Sequence, residues 1–319
     1  MNVAAFVVLA AMLTAYVMLD GYDLGVGAVH LWFSKTERGR AASFAAIKPF
    51  WNGNEVFLIA AGAALFALFP KVYAAAFSGF YLPFIIVLWL LMIRGMSIEL
   101  RGYFTSDIWN GFWDVAFWLS SALLVLFFGV ALGNIVRGVP LDTQGYFAGT
   151  FTFLLNGYAL SVGALALTAL SMNGATFLWM RLDPDLRPRA QTLMRALWPV
   201  VLLLFIGVTV ETIAAHPIGA HVGLWIAPAV ALAALIAVYA SKRAGGALAA
   251  SSAFLAALMA SAAQTIFPFL LPAFRGGGLD IYNAAPNAYS VGTALTVTII
   301  GVGAALCYGT IAAYRMMRA

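Results

Sequence analysis

Nine apolar stretches, each long enough to cross a bilayer and separated by short polar connections, limit what this chain can fold into. A crossing helix needs about 20 mostly apolar residues, because hydrocarbon offers no partner to an open backbone N–H or C=O. Read along the chain, the stretches fall at 3–32, 53–70, 72–93, 112–133, 148–171, 194–212, 222–240, 248–271 and 289–312. The expectation is an all-α integral membrane protein: one membrane domain over residues 1–319 with nine transmembrane helices. Only 9% of residues are charged, against about a quarter in soluble domains, so a soluble globule of this size is excluded. The 64% hydrophobic content excludes disorder as well. A single cysteine, Cys307, excludes an internal disulfide framework and any multi-cysteine iron–sulfur or zinc site.

Lysines and arginines set the orientation. With the N-terminus outside, 14 of the 17 basic residues fall on the inner side, and only Lys71, Arg137 and Arg275 fall outside. A missed or extra helix would scramble this bias, so it supports nine spans with the C-terminus inside. The pI of 9.4 then reflects cytoplasmic loops rather than a nucleic-acid partner. The first span has no basic segment after Met1 and runs directly into Asp20 and Asp23, so it reads as a helix rather than a cleaved leader. Pro83 and Pro268 fall within two of the stretches and predict kinked helices.

Acids at the edges of spans are costly and ask for a reason. Counting 1.5 Å per residue from Val3, Asp20 lies roughly 26 Å and Asp23 roughly 30 Å along the first helix, near its inner rim. They are spaced i,i+3 and share one face. Gly21 and Gly25 form a GxxxG beside them, a pattern that lets a neighbouring helix approach closely. One reading is a proton-collecting pair facing the cytoplasm; the plainer one is two rim acids that bond loops or neutralise Lys35 and Arg38. At the start of the second helix, Asn52 and Glu55 have the spacing of a capping box, and Glu55 also reads as a protonatable carboxylate near the Asp20/Asp23 face. In the stretch Arg94–Arg101, the plainer reading is a cationic anchor with Glu99 paired to Arg94 or Arg101. Asp114 reads as a rim acid beside an aromatic belt. His30 lies at the inner end of the first helix, and His216 and His221 near an outer loop. None is central in a span, so neither metal nor haem ligation by this chain is expected.

Several motifs together resemble a known family. Leu19-Asp-Gly-Tyr-Asp-Leu-Gly-Val-Gly27, Trp51-Asn-Gly-Asn-Glu-Val56, Tyr73-Ala-Ala-Ala-Phe-Ser-Gly-Phe-Tyr81, Arg94-Gly-Met-Ser-Ile-Glu-Leu-Arg101 and Ile281-Tyr-Asn-Ala-Ala285 closely resemble subunit II of bacterial bd-type quinol:oxygen oxidoreductases. The Arg94–Arg101 stretch is similar to the branch that includes cyanide-insensitive oxidases. The likeness is dense over roughly the first 140 residues and returns near the C-terminus. It implies two four-helix bundles plus one peripheral helix in the bacterial cytoplasmic membrane. It implies a larger subunit I that carries two b-type haems, a third haem of d or b type, and the quinol site, with no catalytic residue in the present chain. Small single-helix subunits, lipid and, in some members, a quinone bound to subunit II also belong to this picture. Residue by residue, Asp20 and Asp23 match the family's acid pair. Asn52 stands where many members carry Asp, the candidate proton-path acid there, so the resemblance implies a cytoplasmic proton path through Asp20, Asp23, Asn52 and Glu55, with Glu55, one turn on, expected to take over the carboxylate role. Gly21, Gly25, Trp51, Arg94, Glu99 and Arg101 are expected to be structural. The competing class is a proton-coupled secondary transporter, disfavoured because no acid lies near the midplane and no interrupted helix pair repeats in two halves.

Overall fold

The computed structural model describes residues 1–215 and 223–318, and within them the chain is almost wholly helical. The helices are α1 (Asn2–Phe33), α2 (Glu37–Ile47), α3 (Trp51–Leu68), α4 (Pro70–Gly79), α5 (Tyr81–Leu100), α6 (Asp107–Arg137), α7 (Phe151–Leu154), α8 (Gly157–Arg181), α9 (Arg187–Ala215), α10 (Gly223–Ala240), α11 (Ala244–Ile266) and α12 (Ala288–Arg318). A small antiparallel hairpin, β1 (Phe269–Pro272) with β2 (Gly278–Asp280), precedes α12. Seven helices (α1, α3, α5, α6, α8, α9 and α11) are long and apolar enough to cross a membrane. Shorter apolar stretches, Trp225–Ala240 and Ala288–Ala304, lie in α10 and α12.

Several helix limits depart from those expected, for physical reasons. The stretch 72–93 is not one helix: the chain breaks at Phe69 and again at Phe80. Pro70 occupies the first position of α4, and Pro83 the first turn of α5. Proline lacks an N–H, and its ring clashes with the carbonyl four residues earlier, so a helix cannot run from Gly79 through Pro83. The apolar span that results is 81–100, about two turns later than hydropathy placed it. Likewise 148–171 becomes 157–181. Residues 139–150 form a loop in which Asp142 Oδ1 accepts from the backbone N–H groups of Gln144 and Tyr146. Asn156 then caps α8 by accepting from Ala159 N–H. Pro268 lies beyond the end of α11 and kinks nothing, and Pro83 starts a helix rather than bending one; the prolines inside helices are Pro199 in α9 and Pro228 in α10.

At the centre, α1, α6, α8 and α11 pack against one another; α9 joins through α8, α10 through α11, α5 through α6, and α3 through α1 and α12. The closest approach joins α1 to α8. A Cβ added to Gly25 would lie 1.9 Å from the Leu170 carbonyl oxygen, and one added to Gly174 would lie 2.2 Å from the Gly25 carbonyl carbon. Glycine is therefore required on both helices at this crossing. One apolar cluster fills the half of the molecule around Phe33, Phe117 and Phe177, and a second fills the end near Met1 around Phe69, Leu154 and Ile281. Outward faces are apolar too, with Ile59, Leu88, Trp89 and Leu203 exposed. A bilayer, unlike water, tolerates such faces.

A candidate proton-transfer site at the helix ends

The polar groups concentrate at the end of the bundle where α1 finishes, and they form two buried clusters. The first is built on Arg94, which faces inward from α5 and is 0% exposed. Its Nη2 donates to Asp20 Oδ1 at 2.7 Å and its Nη1 to Asp20 Oδ2 at 3.3 Å, a two-pronged bond across 74 residues of sequence. The same Nη1 donates to Glu55 Oε1 at 2.8 Å. One guanidinium thus holds two carboxylates, as its planar fork allows. Asp23, one turn beyond Asp20 and 0% exposed, takes a hydrogen bond from Asn54 Nδ2 to Oδ2 at 2.7 Å. The Asn54 amide also donates to Tyr22 Oη at 2.8 Å. Asp23 Oδ1 and the Tyr16 hydroxyl have no hydrogen-bond partner among the described residues. Glu55 is 22% exposed and is the cluster's opening to its surroundings.

The second cluster is centred on Asp114 of α6. Oδ1 accepts from Arg101 Nε at 2.5 Å and faces His30 Nε2 at 2.9 Å; Oδ2 accepts from Arg40 Nη1 at 3.2 Å. Arg101 also donates from Nη2 to both oxygens of Glu37 at 3.0 Å. The other nitrogen of His30, Nδ1, lies 2.8 Å from Ser43 Oγ. Phe44 and Phe117 pack edge-on against the His30 ring. These contacts tie α1, α2, α5 and α6 together at one end.

Several expectations are corrected here. Asp20 is neutralised by Arg94, not by Lys35 or Arg38; Arg38 instead pairs with Asp183 and Asp185. Glu99 pairs with Lys48 at 3.4 Å rather than with Arg94 or Arg101. Asn52 and Glu55 make no capping box: the N-cap of α3 is Phe50, without a side-chain bond, while Asn52 is exposed and Glu55 turns to Arg94. Asp114, two turns into α6, is 1% exposed beneath Arg40 and Arg101 rather than open at the surface. Gly21 faces Leu170 and Asn173 of α8, Gly25 makes the α8 crossing, and Trp51 lies over Gly95 of α5. Ahead of α12, Asp280 Oδ1 accepts from the N–H groups of Tyr282 and Asn283 and caps a turn.

Sequence reasoning missed Asn54 and the His30–Asp114 pair. A signal existed for His30, which lies seven residues from Asp23 and therefore on the same stripe of α1. No signal joined it to position 114, because that contact spans 84 residues.

His30 is the one histidine among the described residues, and both its ring nitrogens are engaged, so it offers no free nitrogen to a haem iron. No group of three or more His, Cys, Asp or Glu side chains suited to a metal ion occurs among the described residues. His216 and His221 lie outside them. What the first cluster offers chemically is two carboxylates on one buried guanidinium, a third held by an amide one turn away, and one partly open member.

Comparison with known proteins adds identity to this geometry. The family model described as cytochrome bd terminal oxidase subunit II matches residues 1–317. A probable cytochrome oxidase subunit 2 of Haemophilus influenzae is 32% identical over 98% of this chain and 93% of its own length. The cytochrome bd-I ubiquinol oxidase subunit 2 of Escherichia coli is 29% identical, covering 95% and 90% respectively. Among solved structures, the bd oxidase from Geobacillus thermodenitrificans superposes with a TM-score of 0.82 over 99% of this chain and 97% of that one, at 20% identity.

Proposed function

This chain belongs to the cytochrome bd terminal oxidase subunit II family, and from that premise we propose that it carries protons from the cytoplasm toward an oxygen-reducing centre housed in a larger partner. It is a multi-pass protein of the bacterial inner membrane and part of a quinol oxidase complex. In this reading the partner, subunit I, bears two b-type haems, a third haem of d or b type, and the quinol site. The haems supply the redox chemistry that turns oxygen into water. Nine spans cross the membrane, α10 and α12 included, with the N-terminus outside. The distribution of cations favours that orientation: the end holding Arg40, Lys48, Arg101 and Arg187 faces the cytoplasm. A bound quinone, lipid and small single-helix subunits complete the assembly as the family suggests.

One observation carries the proton-path reading: a single buried guanidinium holds Asp20 and Glu55, and Asp23, one turn from Asp20, is held only by the neutral Asn54 amide, so carboxylates outnumber the cation that balances them. Three ionised acids beside Arg94 would leave surplus negative charge in a medium that solvates it poorly. A proton taken up by one acid relieves the surplus, and Arg94 holds Asp20 and Glu55 within hydrogen-bonding distance of one group. Glu55, the partly open member, exchanges protons with its surroundings. Asn52 is exposed and carries no carboxylate, so it stands beside the path and not in it.

The test is Glu55→Gln, which keeps size and hydrogen-bonding capacity but has no titratable proton. The expected result is a fully assembled, haem-replete complex whose quinol-driven oxygen uptake falls by about a hundredfold, the low end of what a positioned proton-transfer group contributes. Unchanged uptake at full assembly defeats the reading.

A further inference from the structure

We propose that α9 and α10 hold an anionic phospholipid of the cytoplasmic leaflet, with its phosphate at Arg195, Lys242 and Arg243 and its chains along the exposed faces of the two helices. This site takes from the reading above only the orientation of the chain and is independent of the proton path.

Charge is distributed along these helices in one direction. From Pro199 to Ser241 the sequence has no Lys or Arg and one acid, Glu211, toward the outer end of α9. The cations of this helix pair therefore gather at one end: Arg187, Arg189 and Arg195 on α9, with Lys242 and Arg243 in the turn from α10 to α11. Cations in the connections are what the inner side of a membrane protein ordinarily carries. Arg195 differs, because it stands two turns inside α9, at the head of an apolar run, and is exposed. Arg195, Lys242 and Arg243 form no ion pair among the described residues. The acids nearest to Arg195 in sequence, Asp183 and Asp185, are held by Arg38. Exposed cations without a counter-charge at the rim of an apolar surface call for an anion.

The surface beneath them is apolar on both helices. Pro199, Leu203, Ile206 and Val210 follow Arg195 at spacings of four, four, three and four, so they share one stripe of α9, and each is exposed. The stripe runs for about 22 Å, longer than the roughly 15 Å of hydrocarbon in one leaflet. On α10, Tyr239, Ile236 and Leu232 form a second exposed stripe that leads away from Lys242. The helices meet at their inner ends. The Trp198 ring of α9 lies 4.8 Å from that of Tyr239, and its Nε1–H donates to the Leu235 carbonyl at 2.7 Å. Arg195 is one turn nearer the cytoplasm than Trp198, so it stands level with the end of α10, where Lys242 and Arg243 follow. A Trp–Tyr pair suits this depth, where one end of each ring is apolar and the other wet.

The two features together select the occupant. A neutral lipid covers the stripes and leaves the cations unanswered, and a soluble anion does the reverse. A zwitterionic headgroup brings a cation of its own. A phospholipid with net negative charge meets both demands. Toward the outer end of α9 the exposed charge is Glu211, which repels the same headgroup, so the site belongs to the inner leaflet alone.

In the experiment, the intact complex is stripped of lipid in a neutral detergent. It is then titrated with phosphatidylglycerol, with phosphatidylcholine of the same chains, and with inorganic phosphate, and bound molecules are counted by native mass spectrometry. The expected result is saturable binding of phosphatidylglycerol, much weaker binding of phosphatidylcholine, and none of inorganic phosphate. In Arg195→Gln/Lys242→Gln, phosphatidylglycerol should bind about thirtyfold more weakly, equivalent to about 2 kcal/mol, as expected for two cations at an anionic surface. Lys35→Gln/Lys48→Gln removes two exposed cations from the same end of the molecule and should bind as the parent does. Equal losses in the two variants overturn the site in favour of net charge. Equal binding of the two lipids by the parent, a comparison that needs no variant, also overturns it. Inorganic phosphate binding as tightly as the lipid leaves the stripes without a role and overturns it as well. If Arg195→Gln/Lys242→Gln keeps its lipid but loses a small protein subunit, the occupant is a protein and the proposal falls. Labelling of Lys242→Cys above the parent's background by a membrane-impermeant thiol reagent, in inverted vesicles only, checks the orientation separately from the binding.

Discussion

The two buried clusters use the same residue types in opposite proportions. Around Arg94, one guanidinium faces Asp20 and Glu55, with Asp23 one turn away. Around Asp114, one carboxylate faces Arg40, Arg101 and His30, with Glu37 behind Arg101. The first has an acid surplus and so a reason to bind protons. The second has cations enough to keep its central acid ionised. Charge surplus, not the mere presence of acids, separates a proton-binding cluster from an anchoring one. Burial amplifies the difference, because an unbalanced charge costs far more away from water.

The sharpest way to break this contrast is Arg94→Leu. It leaves Asp20 buried without its cation, and removal of one partner from a buried ion pair costs about 3–5 kcal/mol. The expected outcome is loss of assembled complex from membranes, measured by co-purified haem per unit of this chain. Arg94→Lys should recover only part of it, because an ammonium cannot fork onto Asp20 while holding Glu55. A fully assembled, wild-type-stable Arg94→Leu complex would mean that the acids sit protonated without help.

Asp114→Asn probes the other cluster and should cost less. Arg101 keeps Glu37, His30 keeps Ser43, and the asparagine still accepts one bond. Losing the charge from hydrogen bonds of this kind costs about 1.5–3 kcal/mol. The detergent-solubilised complex should assemble and melt at a lower temperature. If Asp114→Asn is as damaging as Arg94→Leu, the surplus of cations is not protective and the contrast fails.

How much of this was legible in the sequence follows from the range of each contact. The all-helical membrane class, the acid pair and the GxxxG beside it are local patterns, and periodicity displays them. Hydropathy, being a running average, separated the stretches near Pro70 but ran through Pro83 and merged α4 with α5, although proline chemistry marks that break. The partner of Asp20 was not legible: Arg94 is 74 residues away and is the fully buried member of a stretch that reads as a surface anchor. Asn54 and Asn52 are chemically alike and two apart, and only packing shows that the former meets Asp23 while the latter is exposed. Asp114 looked peripheral because α6 begins only seven residues before it, yet α2 folds over it and buries it.

The smallest expected effect belongs to Lys48 and Glu99, which form the control for burial itself. They join the end of α2 to α5 at 3.4 Å, so they bridge the same neighbourhood as Arg101 and Glu37, but both side chains are about half exposed, at 53% and 52%. Water already solvates each charge, and ordering two long side chains offsets what the attraction contributes. Glu99→Gln should therefore leave the melting temperature, assembly and oxygen uptake unchanged at moderate salt. Raising ionic strength should not distinguish the variant from the parent, since a pair that contributes nothing has nothing to be screened. A fall in melting temperature matching that of Asp114→Asn would show that sign and spacing alone set the energies at this end of the molecule, and the role given to burial would have to be withdrawn.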